Sequence, residues 1–182
     1  MKNLSFAIWG VLLVPLFFSC TPQKQHPREW TYRSTPSHMG QTPKSEYFII
    51  LGTKLAYGLT ENDAQTMSHL MDQKSLHYKV YNRAHPNALP SDVLIAMKNH
   101  YYLKDVGEES GVVAVVASQD EIEDYLPLLG EMKKTIKDSR IRLAFLCEQK
   151  EVSHEPISPC IGIQFKDGVL LEESINKLWQ RF

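Results

Sequence analysis

Gly111-Val112-Val113-Ala114-Val115-Val116-Ala117-Ser118 is the stretch on which the fold of this chain turns. Its apolar residues have no polar face between them, are mostly β-branched, and are bracketed by Gly and Ser. A run this short is a strand covered on both faces, which makes it central in a sheet. Ser118 and Glu121 then form a Ser-x-x-Glu helix start, and Ile122, Tyr125, Leu126, Leu129, Met132 and Ile136 recur at helical spacing. Pro127 lies inside that pattern and predicts a kink.

Working outward, Ile141, Leu143, Ala144 and Phe145 make the next strand, and Tyr47-Phe48-Ile49-Ile50-Leu51, closed by Gly52, makes another upstream. Thr60, with Asp63 three residues on, reads as a helix start. Ala64, Met67, Leu70 and Met71 form its apolar stripe, and Glu61, Gln65, His69 and Asp72 face water. His77 to Asn82 alternates as a strand through Tyr78, Val80 and Tyr81. The stretch 84–90 reads as a loop, and Ser91 caps a helix through Val93, Met97, His100 and Tyr101 that stops before Gly107. After a polar loop from Glu148 to Pro159, Ile161, Ile163 and Phe165 lead into an Asp167-Gly168 turn with Val169-Leu170 returning as a hairpin. A last helix carries Leu171, Ile175, Leu178, Trp179 and Phe182 on one face. Strand and helix alternate, so the expected fold is a single α/β domain with a mixed sheet flanked by helices.

From Gly111 onward the order of elements resembles the second half of the thioredoxin-like fold. The residues that carry the likeness are Val112 to Ala117, the Pro127-Leu128-Leu129 segment with Met132, Ile141 to Leu146, Pro159 where that family places a cis-proline, and Phe165 to Gly168. The resemblance implies that the strand near Val80 and the helix near Val93 open the unit, with Tyr47 to Ser75 as an added strand-helix piece. It also implies that the strands ending near Cys147 and starting near Cys160 flank a third strand. Where that family has Cys-x-x-Cys, this chain has Gln119, Asp120, Glu121 and Ile122, so exchange chemistry has no nucleophile there.

At the other end, a single Lys2 precedes an apolar run from Leu4 to Phe18, which has the layout of an export signal. Leu16-Phe17-Phe18-Ser19-Cys20 resembles the lipobox of bacterial lipoproteins, with Phe17 where that family favours Leu, Val or Ile. The resemblance implies a signal peptide over 1–19 and diacylglycerol on Cys20 as the mature N-terminus. The same run nearly reaches the shortest spanning length of about 17 residues, so an uncleaved anchor is the alternative. Either way the chain is tethered at a membrane. Residues 20–45, with Pro22, Pro27, Pro36 and Pro43 among Gln, Lys, Ser and Thr, read as a linker, and 46–182 as the domain. Trp30 and Tyr32 are the apolar exceptions in that linker.

Composition removes several classes of function. A formal charge of −1 leaves no electrostatic footprint for nucleic acid. The seven His make no short-spaced cluster, so neither a metal nor another cofactor is expected. His69 and His77 read as ordinary helix and strand residues. No nucleophile elbow, P-loop or Gly-x-Gly-x-x-Gly turn is present. Gly107-Glu108-Glu109-Ser110-Gly111 is acidic and precedes a strand, the wrong order for an anion site. The acids Asp120, Glu121, Glu123 and Asp124 suit the first turn of a helix, where the macrodipole favours carboxylates.

Three cysteines remain to be placed. With Cys20 lipidated, Cys147 and Cys160 are an even pair in an exported compartment. A bridge closing their loop of about a dozen residues stabilises by about 3 kcal/mol in the chain-entropy model. Two buried thiols are the equal alternative. His154 between them completes no metal set that the local sequence identifies.

These readings converge on an envelope lipoprotein with a non-catalytic α/β binding domain, partnered by the membrane through its anchor and by another envelope protein. Thr21, rather than Asp, after the lipidated Cys leans toward the outer membrane. The rivals are a thiol enzyme or redox sensor using Cys160 beside Pro159, and an envelope hydrolase whose site is assembled only in space.

Overall fold

Tyr47, Phe48, Ile49, Ile50 and Leu51 are at most 1 % exposed, and the sheet is built outward from them. The computed structural model describes residues 44–58, 65–149 and 160–182. Cys20, Trp30, Tyr32, Thr60, Glu61, Asp63, Ala64, His154 and Pro159 lie outside these, so the readings made on them are not addressed by the structure.

In chain order the elements are β1 (Glu46–Gly52), α1 (Lys54–Tyr57), α2 (Met67–Lys74), β2 (Tyr78–Asn82), α3 (Pro90–Lys98), β3 (Gly111–Ala117), α4 (Ile122–Tyr125), α5 (Leu129–Thr135), β4 (Ile141–Glu148), β5 (Ile161–Ile163), β6 (Phe165–Lys166), β7 (Val169–Leu170) and α6 (Glu172–Trp179). The first five strands form one sheet in the order β2-β1-β3-β4-β5, and every neighbouring pair is parallel. β6 and β7 pair antiparallel as a separate hairpin around Asp167 and Gly168, both at positive φ. That hairpin matches the sequence reading.

Alternation along each strand sorts the core into two layers. Phe48, Ile50, Val112, Ala114, Val116, Ala144 and Leu146 meet Met67 and Met71 of α2 and Ile175 and Leu178 of α6. On the other face, Ile49, Leu51, Val113, Val115, Ala117 and Phe145 meet Val93 and Met97 of α3, Tyr125 at the end of α4 and Met132 of α5. Because both faces are covered, the strands read as continuous apolar runs, as the central run at Gly111 predicted.

The domain is therefore α/β as expected, but the sheet is parallel, not mixed, and the thioredoxin-like details fail with it. β1 is not an added piece: it lies between β2 and β3. β4 and β5 are not separated by the third strand that the resemblance implied; they pair directly, with Cys147 opposite Gly162. The physical reason is the length of the connection. Glu148 to Ile161 is a crossover of about a dozen residues, the minimum a parallel return requires, whereas an antiparallel return needs only a tight turn.

Local starts and stops also differ in places. α2 is capped by Thr66, whose hydroxyl accepts the His69 amide at 3.4 Å. Asp72 in that helix does not face water; it is 4 % exposed and reaches across to β2. α3 starts one residue earlier than Ser91, at Pro90, with the Asp92 carboxylate accepting the Leu89 amide at 2.9 Å. It stops at Lys98, because His100 takes a left-handed conformation. Pro127 interrupts the helix, in keeping with the sequence reading: a tighter 3₁₀ turn at Leu126–Leu128 separates α4 from α5. Lys44, placed in the linker by composition, is already tied to the domain through Asp72.

Candidate functional site

In doubly wound sheets of this order, ligands sit outside the carboxyl ends of the strands where the winding reverses, here between β1 and β3. Gly52 ends β1 and Thr53 follows; Ala117 ends β3 and Ser118 follows. Glu121 joins the two. One of its carboxylate oxygens accepts the Ser118 amide at 3.0 Å and the Ser118 hydroxyl at 2.7 Å, and the other accepts the Thr53 hydroxyl in a short hydrogen bond. Gln119 donates its amide to the Glu148 carboxylate at 3.3 Å, drawing in the end of β4. The Ser-x-x-Glu start read from sequence is therefore present, and its Glu also staples two strand ends.

Glu121 thus spends its carboxylate on joining the ends of β1 and β3. A carboxylate that already accepts three hydrogen bonds has little capacity left for a substrate proton. His85 lies nearby, its amide bonded to the Gly52 carbonyl at 3.1 Å and its Nδ1 accepting the Asn87 amide at 3.2 Å. Asp120, Glu123 and Asp124 are exposed, as the first-turn reading of those acids predicts. Among the described residues, no group of three or more His, Cys, Asp or Glu is placed to hold a metal ion.

A cavity lies at the opposite end of the sheet. Glu46, Tyr78 and Arg142 stand at the amino ends of β1, β2 and β4, and Trp179 and Phe182 close over them from α6 and beyond. The space is about 640 Å³, within the range of small-ligand pockets. Tyr78, Trp179 and Phe182 are the aromatic part of a lining that is otherwise mostly polar and charged: Tyr78 stacks on Trp179 with centroids 5.4 Å apart, and the buried Phe48 meets Trp179 edge-on from the core. The Arg142 guanidinium donates to the Tyr78 hydroxyl at 2.6 Å, lies 5.6 Å over the Phe182 ring and stands 3.6 Å from Glu46. Tyr78 in turn donates to the Phe182 carbonyl at 3.1 Å. Burial raises the Tyr78 hydroxyl above its ordinary pKa, against the opposing pull of Arg142, so it stays a donor at neutral pH. The buried Trp179 indole N–H has no partner among the described residues. Leu76, 83 % exposed, stands at the rim.

No family model matches the chain, and no curated protein is detectably similar to it. Among solved structures, the chain is similar to a member of the lipolytic protein G-D-S-L family from Veillonella parvula DSM 2008, with a TM-score of 0.41 and 9 % identity over 57 % of each chain. A likeness that slight says nothing about a site.

The remaining candidates from sequence are placed as follows. Cys147 and Cys160 are joined as a disulfide, their Cα atoms 5.7 Å apart, and are 2 % and 7 % exposed. The acidic turn Gly107–Gly111 is no anion site: Glu108 accepts the Tyr81 hydroxyl at 2.9 Å, and Glu109 pairs with Arg140 at 2.7 Å. His69 contacts Gln73 on the exposed side of α2, and His77 lines the amino-end cavity. The sequence reading missed that cavity, because its residues come from four separate places in the chain. The only local trace of it is the pairing of Trp179 with Phe182 at helical spacing.

Proposed function

We propose that this chain is a lipid-anchored envelope protein whose α/β domain binds another envelope component and performs no chemistry of its own. The observation that carries the binding reading is the amino-end cavity, where the stacked Tyr78 and Trp179 rings stand beside a positioned guanidinium. Aromatic surface with a few placed polar groups is what recognition sites are made of. At the opposite edge, Glu121 is committed to holding Thr53 and Ser118. A thiol enzyme would need a free thiolate at Cys160, and that sulfur is bonded to Cys147.

The anchor part of the proposal rests on the Leu16-to-Cys20 sequence. Cleavage before Cys20 and acylation of its sulfur and amine hold the chain firmly without a spanning helix, since two or more chains suffice. The destination is the cell envelope, with the outer membrane favoured by Thr21. Among the described residues no helix is long and apolar enough to cross a membrane.

Two measurements test this. Cells expressing the intact chain and Cys20→Ser are labelled with a palmitate analogue; the label should enter the first and not the second, and the second should leave the membrane fraction. An unmodified chain starting at Met1 would remove the anchor. The lipidated protein is also assayed against generic esters and peptidoglycan, and turnover abolished by Glu121→Gln would replace the binding reading with the hydrolase. Disulfide reductase activity abolished by Cys160→Ser would do the same for the thiol enzyme.

A further inference from the structure

β4 is longer than its outer neighbour, and among the described residues this leaves part of its edge unpaired. On one side β3 pairs with it from Ile141 to Cys147. On the other, β5 pairs only with Leu146, Cys147 and Glu148. In a parallel ladder each residue presents its N–H and C=O to the same side, and successive residues alternate. The Gly111 amide donates to the Arg140 carbonyl, and the Gln149 amide donates to the Ile163 carbonyl. Even-numbered residues of β4 therefore face β3, and odd-numbered ones face the β5 side. Leu143 thus presents both backbone groups beyond the start of β5, beside the Ile141 carbonyl, and no described residue takes them up.

The other edge of the sheet is treated differently. Outward amides of β2 are covered by side chains, Tyr78 by the Ser75 hydroxyl at 2.8 Å and Val80 by the Asp72 carboxylate at 3.0 Å. Such covering is how edge strands avoid pairing with other chains. β4 lacks it. Beside its bare segment, on the α5 face, lies a groove of about 410 Å³ walled by Leu129, Ile136, Leu143 and Phe145, with Lys133 and Lys137 at its lip. Neither lysine is paired with a carboxylate among the described residues. On the opposite face of the same segment stands Arg142, at the border of the amino-end cavity.

We propose that this edge receives an extended segment of a partner protein by strand addition. Unpaired backbone donors and acceptors in a row are met in full only by another backbone, and pockets for alternate side chains supply selectivity. The groove takes an apolar side chain; Asp138, which also lines it, is tied to Arg140 at 2.8 Å, and this leaves Lys133 and Lys137 to select carboxylates next to it. The partner segment is therefore short, alternating and acidic. This rests on the reading of the domain as a binding module, but not on the amino-end cavity or the anchor being correct.

The test uses the full lipidated chain in detergent micelles and a labelled hexapeptide alternating valine and glutamate. Saturable binding is expected, with the Leu143 amide slowed in hydrogen exchange by about tenfold or more. Lys133→Glu with Lys137→Glu should weaken the peptide by about tenfold or more, and both positions are exposed, so folding is not at risk. A valine-lysine peptide should not bind, nor should the valine-glutamate peptide N-methylated on the face that pairs. The proposal is overturned if the N-methylated peptide binds as well as its parent, if charge reversal has no effect, or if no peptide binds at millimolar concentration. It is also overturned if the Leu143 amide is already protected without peptide, since the edge is then covered before any partner arrives. Palmitate labelling of Cys20 can fail without changing any of these outcomes.

Discussion

The Asp72 carboxylate accepts the Val80 backbone amide at 3.0 Å, tying the middle of α2 to the outer edge of β2. The same oxygen takes the Lys44 ammonium at 2.9 Å, and both side chains are almost wholly buried, at 9 % and 5 % exposed. One acid thus covers a sheet edge and pins the entry of the chain into the domain.

Removing that acid leaves the Val80 amide without its acceptor and the buried Lys44 ammonium without its counter-charge, with the Asp72 carbonyl at 2.9 Å still accepting from it. Asp72→Ala should therefore lower stability by about 3–5 kcal/mol, the usual cost of breaking a buried pair. Lys44→Ala should cost less, because the carboxylate keeps the Val80 amide. Urea denaturation of the two variants gives the order, and equal or negligible losses would show the pair to be solvated.

The Cys147–Cys160 bridge closes a loop beside the β4–β5 ladder, a sequence separation of 13 residues. Replacing both cysteines by alanine should lower unfolding free energy by about 3 kcal/mol, through the larger freedom of the unfolded chain. Reductant should move the natural chain by a similar amount and the double variant not at all. A natural chain insensitive to reductant after full thiol exposure would contradict the bridge.

Gly52 sits at φ 146, and a Cβ there would stand 2.5 Å from the Val116 carbonyl oxygen and 2.8 Å from the Ala56 Cβ. Gly52→Ala should cost about 1–3 kcal/mol or more from strain and collision together. Gly130, inside α5, has nothing within 4 Å of the corresponding position. Gly130→Ala should instead stabilise by about 0.5–1 kcal/mol, from helix propensity alone. Thermal melts of the pair separate crowding from a general intolerance of glycine replacement.

Tyr47 carries a hydroxyl with no partner among the described residues, and burial pushes it up to about 12, assisted by the nearby Tyr102 and Asp138. An unfolded tyrosine ionises near 10, so between about pH 10 and 12 the unfolded state sheds a proton that the folded state keeps. The contribution is fully present below that window and is lost as pH rises through it. Tyr47→Phe should leave neutral-pH stability unchanged or slightly higher and flatten this alkaline loss. Urea midpoints at pH 9, 10 and 11 measure it.

The sequence by itself determined the alternation of strand and helix and which runs were central. Tyr47 to Leu51 and Val112 to Ala117 have no polar side, and only a sheet covered on both faces buries such a run. It also located the Ser118–Glu121 helix start and the Asp167-Gly168 turn, because capping and turn chemistry are set within a few residues.

Direction and neighbours were decided only by the tertiary structure. Whether β5 returns parallel beside β4 or antiparallel beyond it depends on where the crossover packs. The length of the Glu148–Ile161 connection was the one local hint. Asp72 looked like a solvated helix residue because its partners, Lys44 and Val80, are distant or carry no charge in the sequence. The amino-end cavity and the bare edge of β4 were likewise illegible, since each arises from strand ends and strand lengths that only assembly brings side by side.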